Sequence, residues 1–245
     1  MSDTTMKNLQ SRAVFFDDIS TVDLGIYLKS VDFSPPTVKT ENTEVPGMNG
    51  NYDYTEVLTG YPTFQNRTIK ITFFDPQPVR AMYQRFSRLC NLLHGKKFNK
   101  IIFANDKGYY WTGRANVDGY SYGDGIMEYT VSIDAYPYKR SVQTSNEPWE
   151  WDTFSFFTGY IGNSGEGFGS NLPIDFSFTV ASEEPCEFDV INNGSTACEL
   201  SFNGAAFVTC KPGKTHFTQL LKPGVNRAES KGGFNISVDW REGYL

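Results

Sequence analysis

The stretch that decides the fold class runs Met127-Glu128-Tyr129-Thr130-Val131-Ser132-Ile133-Asp134-Ala135. Apolar and polar side chains alternate along it without a break, as they do in a β-strand that buries one face. Further alternating sets follow the same rule: Ile69, Ile71 and Phe73, and, more weakly, Tyr109, Trp111, Gly113, Ala115 and Val117. Gly123-Asp124-Gly125 lies before the quoted stretch and favours a hairpin turn. The first half of the chain is therefore predicted to be mostly β.

The composition supports the same fold class. Phe, with 20 residues, outnumbers both Leu and Ala, and aromatic residues make up 16% of the 245 positions. Aromatic side chains suit a pleated surface, whereas Leu and Ala are strong helix formers. The net charge of -6 and the two His argue against a nucleic-acid-binding surface and a His-rich metal site. No signal peptide or membrane-spanning run is recognisable, so we expect no membrane association.

One helix interrupts the alternating pattern. It is expected to begin near Pro78 and to end at His94-Gly95, with His94 interacting with the helix dipole. Its apolar residues recur at three- and four-residue spacing, which predicts one buried face: Val79, Met82, Tyr83, Phe86, Leu89, Cys90 and Leu93.

Charge divides the chain into two parts. Residues 1–140 contain 16 basic and 15 acidic side chains, and residues 141–245 contain 6 and 13. We place a domain boundary there and predict two domains, 1–140 and 141–245. Four short alternating runs in the second domain indicate a β-sandwich: Ile174 to Val180, Cys186 to Val190, Cys198 to Phe202, and Phe234 to Trp240. Asn193-Gly194 and Pro212-Gly213-Lys214-Thr215 are interpreted as hairpin turns, the first of the primed type.

Motifs that could support catalysis are weak. Gly213-Lys214-Thr215 lacks the earlier glycine of a phosphate-binding loop, and the glycines from Gly159 to Gly169 are interpreted as a connector. Glu183-Glu184 is expected in a solvated loop. The four Cys lack metal-site spacing, and three of them occupy apolar strand positions, so we expect buried free thiols. No catalytic residue, metal or cofactor is predicted, and the protein is not expected to be an enzyme.

An aromatic cluster lies near the start of the second domain, and it leaves two interpretations open. Trp149, Trp151 and Tyr160 could stack on sugar rings, or they could cover a sandwich or a domain junction. The first interpretation gives the alternative hypothesis of a carbohydrate-binding module that contributes to recognition of the host cell wall.

The order of several short motifs resembles a known family. Val45-Pro46-Gly47-Met48-Asn49-Gly50 is followed by Leu58-Thr59-Gly60-Tyr61, by Asn66-Arg67-Thr68-Ile69, by the helix ending in Leu92-Leu93-His94-Gly95, and by Tyr136-Pro137-Tyr138. Over about residues 12–140 this order is similar to the N-terminal domain of siphophage distal tail proteins. Three segments of the second domain look like parts of that family's galectin-like C-terminal domain: Asn192-Asn193-Gly194, Lys222-Pro223-Gly224 and Asp239-Trp240-Arg241.

The resemblance implies a structural protein of the virion tail tip, assembled in the bacterial host cytoplasm. Its N-terminal domain would be a β-sandwich-like fold with one packed α-helix, and its C-terminal domain a galectin-like β-sandwich. The expected working form is a homo-hexameric ring that joins the tail tube protein to a tail-associated lysin or fibre protein. A receptor-binding protein is a further expected partner. The residues assigned to ring assembly are Val45, Pro46, Gly47, Gly50, Tyr61 and Arg67.

Overall fold

The structure is a computed structural model, and it describes residues 11–77, 82–123, 126–147 and 167–245. The chain divides into two compact units, the first extending to Lys139 and the second spanning Arg140–Tyr244. Both are built from antiparallel strands, and apolar side chains alternate along the longer ones, as in strands that bury one face. The predicted fold class, mainly β with a packed α-helix, is confirmed.

The first unit is built on one antiparallel sheet. Within this unit, seven strands follow the order β2-β1-β7-β8-β9-β6-β3, and two others, β4 and β5, form a separate two-stranded sheet. A 3₁₀ turn, Val22–Leu24, precedes the third strand. The strands are β1 (Val14–Phe16), β2 (Ile19–Ser20), β3 (Tyr27–Phe33), β4 (Asn42–Glu44), β5 (Asn51–Asp53), β6 (Arg67–Asp75), β7 (Lys96–Phe103), β8 (Tyr109–Gly123) and β9 (Ile126–Ala135).

The alternation that predicted this sheet is present in its central pair of strands. In the register of β6 with β9, Ile69 lies opposite Ile133, Ile71 opposite Val131 and Phe73 opposite Tyr129. All six side chains are buried in one core. Strands β8 and β9 form the hairpin predicted around Gly123, with Gly123 opposite Ile126. Residues 124 and 125, which join these strands, lie outside the described residues.

The helix α1 (Met82–Leu93) packs on this sheet through Leu89 and Leu93, both in the core. The start predicted at Pro78 lies outside the described residues. The predicted end is confirmed, since Gly95 adopts a φ of 73°. The interpretation of His94 was wrong: its Nδ1 accepts a hydrogen bond from the Val117 amide over 3.0 Å, so the ring binds strand β8. An imidazole nitrogen that accepts this bond carries no proton there to donate to helix carbonyls.

The second unit contains two four-stranded antiparallel sheets, ordered β11-β18-β13-β16 and β12-β17-β14-β15. Their inward side chains form one apolar core rich in Phe. Strands β10 and β19 also pair with each other. The strands are β10 (Lys139–Ser141), β11 (Gly167–Ser170), β12 (Asp175–Val180), β13 (Cys186–Asn192), β14 (Cys198–Phe202), β15 (Val208–Cys210), β16 (Gly213–Leu221), β17 (Gly224–Ser230), β18 (Phe234–Trp240) and β19 (Gly243–Tyr244).

Both turn predictions in this unit need correction. The segment at Asn193-Gly194 joins β13 to β14, and the segment at 211–212 joins β15 to β16; each therefore crosses from one sheet to the other. Neither Asn193 nor Gly194 has a positive φ. Instead, the Asn192 side chain accepts a bond from the Gly194 amide over 2.9 Å and donates to the Thr196 carbonyl. A side-chain amide stabilises this crossing, so a primed turn is not needed.

Two further expectations for the second unit were partly wrong. Residues 167–170, at the end of the predicted glycine connector, form strand β11 on the edge of a sheet. Glu184 is only 5% exposed, although we expected it in solvent. Its carboxylate pairs with Arg140 at 3.1 Å, which satisfies the buried charge.

Candidate assembly site

The exposed segment between β3 and β6 is the strongest candidate for a functional site. Residues 34–65, here called the arm, leave the sheet after Phe33 and return to it at Arg67. The two halves of the arm run antiparallel to each other. They are joined by the β4–β5 pair, by a bridge between Val38 and Phe64, and by backbone bonds from Lys39, Tyr54 and Gln65. The arm is thus a long, irregular hairpin with its own hydrogen bonds.

A tight turn forms the end of the β4–β5 pair. The Met48 amide donates to the Val45 carbonyl over 3.1 Å, which closes a four-residue turn. Pro46 occupies the second position, and Gly47 the third, with a φ of 85°. A proline followed by a residue with positive φ is typical of a type II turn. Val45, Pro46 and Gly47 therefore make an ordinary turn, and Gly50 follows within the same loop with a φ of 80°.

The second loop of the arm is held by polar contacts at both ends. At its start, Asp53 Oδ1 accepts a bond from the Thr55 amide over 2.9 Å. Hydrogen bonds from the Thr55 side chain and amide hold the pKa of Asp53 below its usual range. At its end, the Thr59 hydroxyl donates to the Tyr61 carbonyl over 2.6 Å. The loop between these contacts therefore has a defined shape and presents Val57 and Leu58 to solvent.

The arm exposes apolar side chains without burying any of its residues. Leu58 is 97% exposed and Val57 is 69% exposed. Several other large side chains of the arm are exposed as well: Val38, Val45, Met48, Tyr52 and Tyr54. Several exposed apolar side chains on one hydrogen-bonded segment are typical of a surface that binds another protein. The residues assigned to ring assembly include Val45 but neither Val57 nor Leu58, although Leu58 stands in one of the quoted motifs, because no periodicity distinguishes these two side chains.

Arg67 fixes the base of the arm. Its Nε donates to the Ser34 carbonyl over 2.9 Å, and its Nη1 donates to the Pro137 carbonyl over 3.3 Å. The guanidinium also lies over the Trp111 ring, 4.9 Å from the centroid. Arg67 is 8% exposed, and burial lowers its pKa. A guanidinium remains charged in proteins, so these contacts stabilise a buried cation where the arm begins.

The structure places the residues assigned to ring assembly at three points. Val45, Pro46, Gly47 and Gly50 share the turn of the arm, Tyr61 lies at the end of its second loop, and Arg67 lies at its base. An aromatic contact reinforces the base: Phe64 packs edge-on against Tyr138, with centroids 5.9 Å apart. The order of motifs in the sequence thus corresponds to the path of one arm, while a role of these residues in assembly stays a prediction.

The other predicted site cannot be located. Trp149, Trp151 and Tyr160, the residues proposed to bind sugar, lie outside the described residues, so that hypothesis stays a prediction. Within residues 11–77, 82–123, 126–147 and 167–245, no group of three or more His, Cys, Asp and Glu side chains is arranged to hold a metal ion. In the same ranges, no helix has the length and apolar character needed to span a bilayer.

Comparison with known proteins gives a match in structure but not in sequence. No family model and no curated protein sequence matches the chain. A solved structure, the Dit protein of phage SPP1, matches with a TM-score of 0.63 and 12% sequence identity, covering 95% of this chain and 99% of that one. That protein is described as a paradigm of the hub adsorption apparatus in phages that infect Gram-positive bacteria. The two chains therefore share one fold over nearly their whole lengths.

Proposed function

We propose that the protein is a distal tail protein, the hub of the tail tip of a siphophage or prophage. The observation on which the proposal rests is the fold shared with the SPP1 Dit hub protein over 95% of the chain. In the proposed working form, six copies make a ring at the end of the tail. The ring joins the tail tube protein on one side to a tail-associated lysin or fibre protein on the other. Its role is assembly and transmission of force, without catalysis.

The arm gives this proposal a physical basis. A side chain as exposed as Leu58 gains about 1.5–3 kcal/mol when it is fully buried. A ring in which each copy contacts the next repeats this gain at every interface. Closure of the ring leaves no copy with an unpaired interface. Because the arm buries none of its own residues, its apolar side chains are available for such a contact. We therefore assign the arm to the interface between neighbouring copies.

Charge favours a second copy of the chain as the partner of the arm. The arm contains one basic residue, Lys39, and four acidic ones: Glu41, Glu44, Asp53 and Glu56. Within residues 1–140, the part outside the arm contains 15 basic and 11 acidic side chains. An acidic arm and a basic body attract each other and orient the encounter of two copies.

The second unit would have a different task in the particle. We propose that it is a galectin-like domain that projects from the ring and holds a receptor-binding protein. Two four-stranded sheets around one core are compatible with that fold, although a fold by itself does not supply a binding function.

The assembly state of the purified protein over a wide concentration range tests the proposal. Native mass spectrometry and light scattering should show a hexamer at high concentration, and electron microscopy should show a ring. Leu58→Glu should raise the dissociation constant of the ring by at least about tenfold, because each interface loses about 1.4 kcal/mol or more. Val225→Glu is the matched control, since Val225 is 73% exposed but lies in the second unit.

Two outcomes would contradict the proposal. If the protein stays monomeric at the highest concentrations and also in the presence of tail tube protein, the hub assignment fails. If rings form equally well with Leu58→Glu, the hub assignment stands and the arm is not the ring interface.

A further inference from the structure

Two cysteines of the second unit lie directly opposite each other. Cys198 begins β14, Cys210 ends β15, and the two residues are partners in the antiparallel register. Their side chains point into the same core, with 7% and 0% exposure. The Cys198 thiol lies 3.9 Å from the Cys210 carbonyl oxygen. Both thiols are free in the structure.

We propose that Cys198 and Cys210 are a latent disulfide site, which closes under oxidising conditions and fastens strand β15 to β14. Directly opposed residues of antiparallel strands have Cα atoms about 4.5–5.5 Å apart. A disulfide requires Cα atoms about 4.4–6.8 Å apart and side chains that point toward each other. The register meets the distance condition, and the shared inward direction places both sulfurs on one face of the sheet, in the same core.

The other two thiols do not compete for this pairing. Cys186 lies on β13 in the opposite sheet, where its thiol donates to the Glu184 carbonyl over 3.4 Å. Cys90 lies on α1 in the first unit. The pairing of Cys198 with Cys210 is therefore the one that the folded second unit favours.

Reaction requires a brief opening of β15. Burial raises the pKa of Cys210 to about 11, and burial also raises the pKa of Cys198, so thiolate is scarce while the strand is docked. However, β15 is a three-residue strand on the edge of its sheet, and such strands open at low cost in free energy. Opening exposes both sulfurs to water and restores their ordinary acidity.

Oxidised glutathione is a suitable oxidant for the reaction. One cysteine loses its proton to water, and its thiolate attacks a sulfur of the oxidant, which forms a mixed disulfide and releases one glutathione thiolate. The second cysteine, deprotonated in turn, attacks the protein sulfur of the mixed disulfide and releases the second glutathione. The protein loses two protons and two electrons, and the oxidant takes up both to become two molecules of reduced glutathione.

The disulfide would join the edge strand β15 covalently to its neighbour β14. The bond closes a loop over residues 198–210 and removes freedom from the unfolded chain, which should raise the melting temperature by roughly 10 °C. Reducing cytosol keeps the thiols free, and an oxidising exterior closes the bond.

Mass spectrometry of the folded, full-length protein tests the site. Incubation with oxidised glutathione should lower the intact mass by two hydrogens, and dithiothreitol should restore it. A protease that cleaves after Glu separates the two cysteines into residues 188–199 and 200–229, which should appear as one cross-linked species. Trypsin cannot make this distinction, because residues 141–210 contain no Lys or Arg.

Variants decide between this pair and any other. Cys198→Ala and Cys210→Ala should each abolish both the mass loss and the rise in melting temperature, while Cys90→Ala should keep both. A cross-link that involves Cys186 would overturn the proposal, as would oxidation that occurs only in denaturant. A Cys198–Cys210 bond that leaves the melting temperature unchanged would overturn the inference that the bond stabilises the second unit.

Discussion

The Nε of Arg67 donates a hydrogen bond to the carbonyl oxygen of Ser34 over 2.9 Å, which joins the first residue of the arm to the strand that follows it. These residues are 33 positions apart in the sequence, so the contact closes the base of the whole arm. Nη1 of the same side chain also holds the Pro137 carbonyl over 3.3 Å. One buried cation therefore determines where the arm leaves the sheet and where it returns.

Loss of this side chain should loosen the arm at its base. Arg67→Met leaves the Ser34 and Pro137 carbonyls without their charged donor, at a cost of about 2–3 kcal/mol in unfolding free energy. Amide hydrogen exchange should accelerate at Ser34, Lys39 and Gln65, whose amides bond to backbone carbonyls near the base. Arg114→Met is the control, because Arg114 is exposed and donates only to the Gly95 carbonyl among the contacts described. Unchanged exchange at these three amides in Arg67→Met would contradict an anchoring role.

A buried ion pair should be essential for docking the helix. Asp75, at the end of β6, is 1% exposed and pairs with the Nε of Arg85 on α1 at 2.8 Å. The Tyr129 hydroxyl donates to the same carboxylate, and burial followed by the Asp75 charge raises the pKa of Tyr129. Asp75→Asn leaves a guanidinium without its counter-ion, so we expect a loss of about 3 kcal/mol in urea denaturation.

The more exposed pair of Asp106 with Lys139 provides the comparison. Its nitrogen and oxygen lie 3.0 Å apart, and 42% of the Asp106 side chain and 26% of the Lys139 side chain are exposed. Asp106→Asn should lower the free energy of unfolding by less than about 1 kcal/mol. Equal losses in Asp75→Asn and Asp106→Asn would show that burial does not set the strength of these pairs.

Strand β8 requires a glycine at position 113 for a steric reason. A Cβ there would lie 2.6 Å from the Asp134 carbonyl oxygen and 2.9 Å from the Ala135 Cα, both backbone atoms of β9. Gly113→Ala should therefore destabilise the first unit by about 1–3 kcal/mol, since the strands must separate. Gly108→Ala has open space for its Cβ and should leave the melting temperature almost unchanged. A Gly113→Ala protein as stable as Gly108→Ala would contradict the close approach of β8 to β9.

The sequence predicted the sheets and the helix because those elements bury one face, and burial leaves a period in the chain. Ile69, Ile71 and Phe73 alternate because the core lies on one side of β6. The helix face containing Leu89 and Leu93 was predictable for the same reason. The arm has no periodic pattern of apolar residues, since it buries none of its residues. Only short motifs such as Val45-Pro46-Gly47 distinguished it in the sequence.

Features that depend on distant partners could not be predicted. Glu184 is buried because Arg140, 44 residues earlier, supplies its counter-charge. Arg67 is buried because carbonyls from 33 and 70 residues away accept its hydrogen bonds. The sequence at Asn193-Gly194 suits a primed turn, but the strands on either side belong to different sheets, so the chain crosses the sandwich there. Local propensity cannot distinguish a hairpin from such a crossing.

A surface ion pair on the second unit should make stability depend on pH. Asp189 on β13 lies 2.8 Å from the Lys214 ammonium and 2.9 Å from the His216 Nδ1. Burial raises the pKa of Asp189, but the hydrogen bonds from Lys214 and His216 outweigh it and hold that pKa below the usual range. The hydrogen bond to Asp189 in turn raises the pKa of Lys214.

The sign of the dependence follows from these directions. A depressed carboxylate pKa means that the unfolded chain binds the proton more readily, so the stabilisation is present above about pH 4 and is lost as the pH falls. A raised ammonium pKa gives stabilisation that is present below about pH 10 and is lost as the pH rises. The pair therefore stabilises the second unit between these limits. Because 60% of the Lys214 side chain is exposed, the contribution is less than about 1 kcal/mol.

The difference in unfolding free energy between the native protein and Asp189→Asn measures this contribution directly. We expect about 0.5–1 kcal/mol at pH 7, falling toward zero near pH 2, where the native carboxylate is also protonated. Asp175→Asn, an exposed carboxylate on β12, controls for the general effect of removing one negative charge. A difference that persists undiminished at pH 2 would mean that Asp189 stabilises the sheet by its shape and not by its charge. Because the net charge of the chain is -6, a uniform charge effect would instead make Asp189→Asn and Asp175→Asn equally more stable at neutral pH.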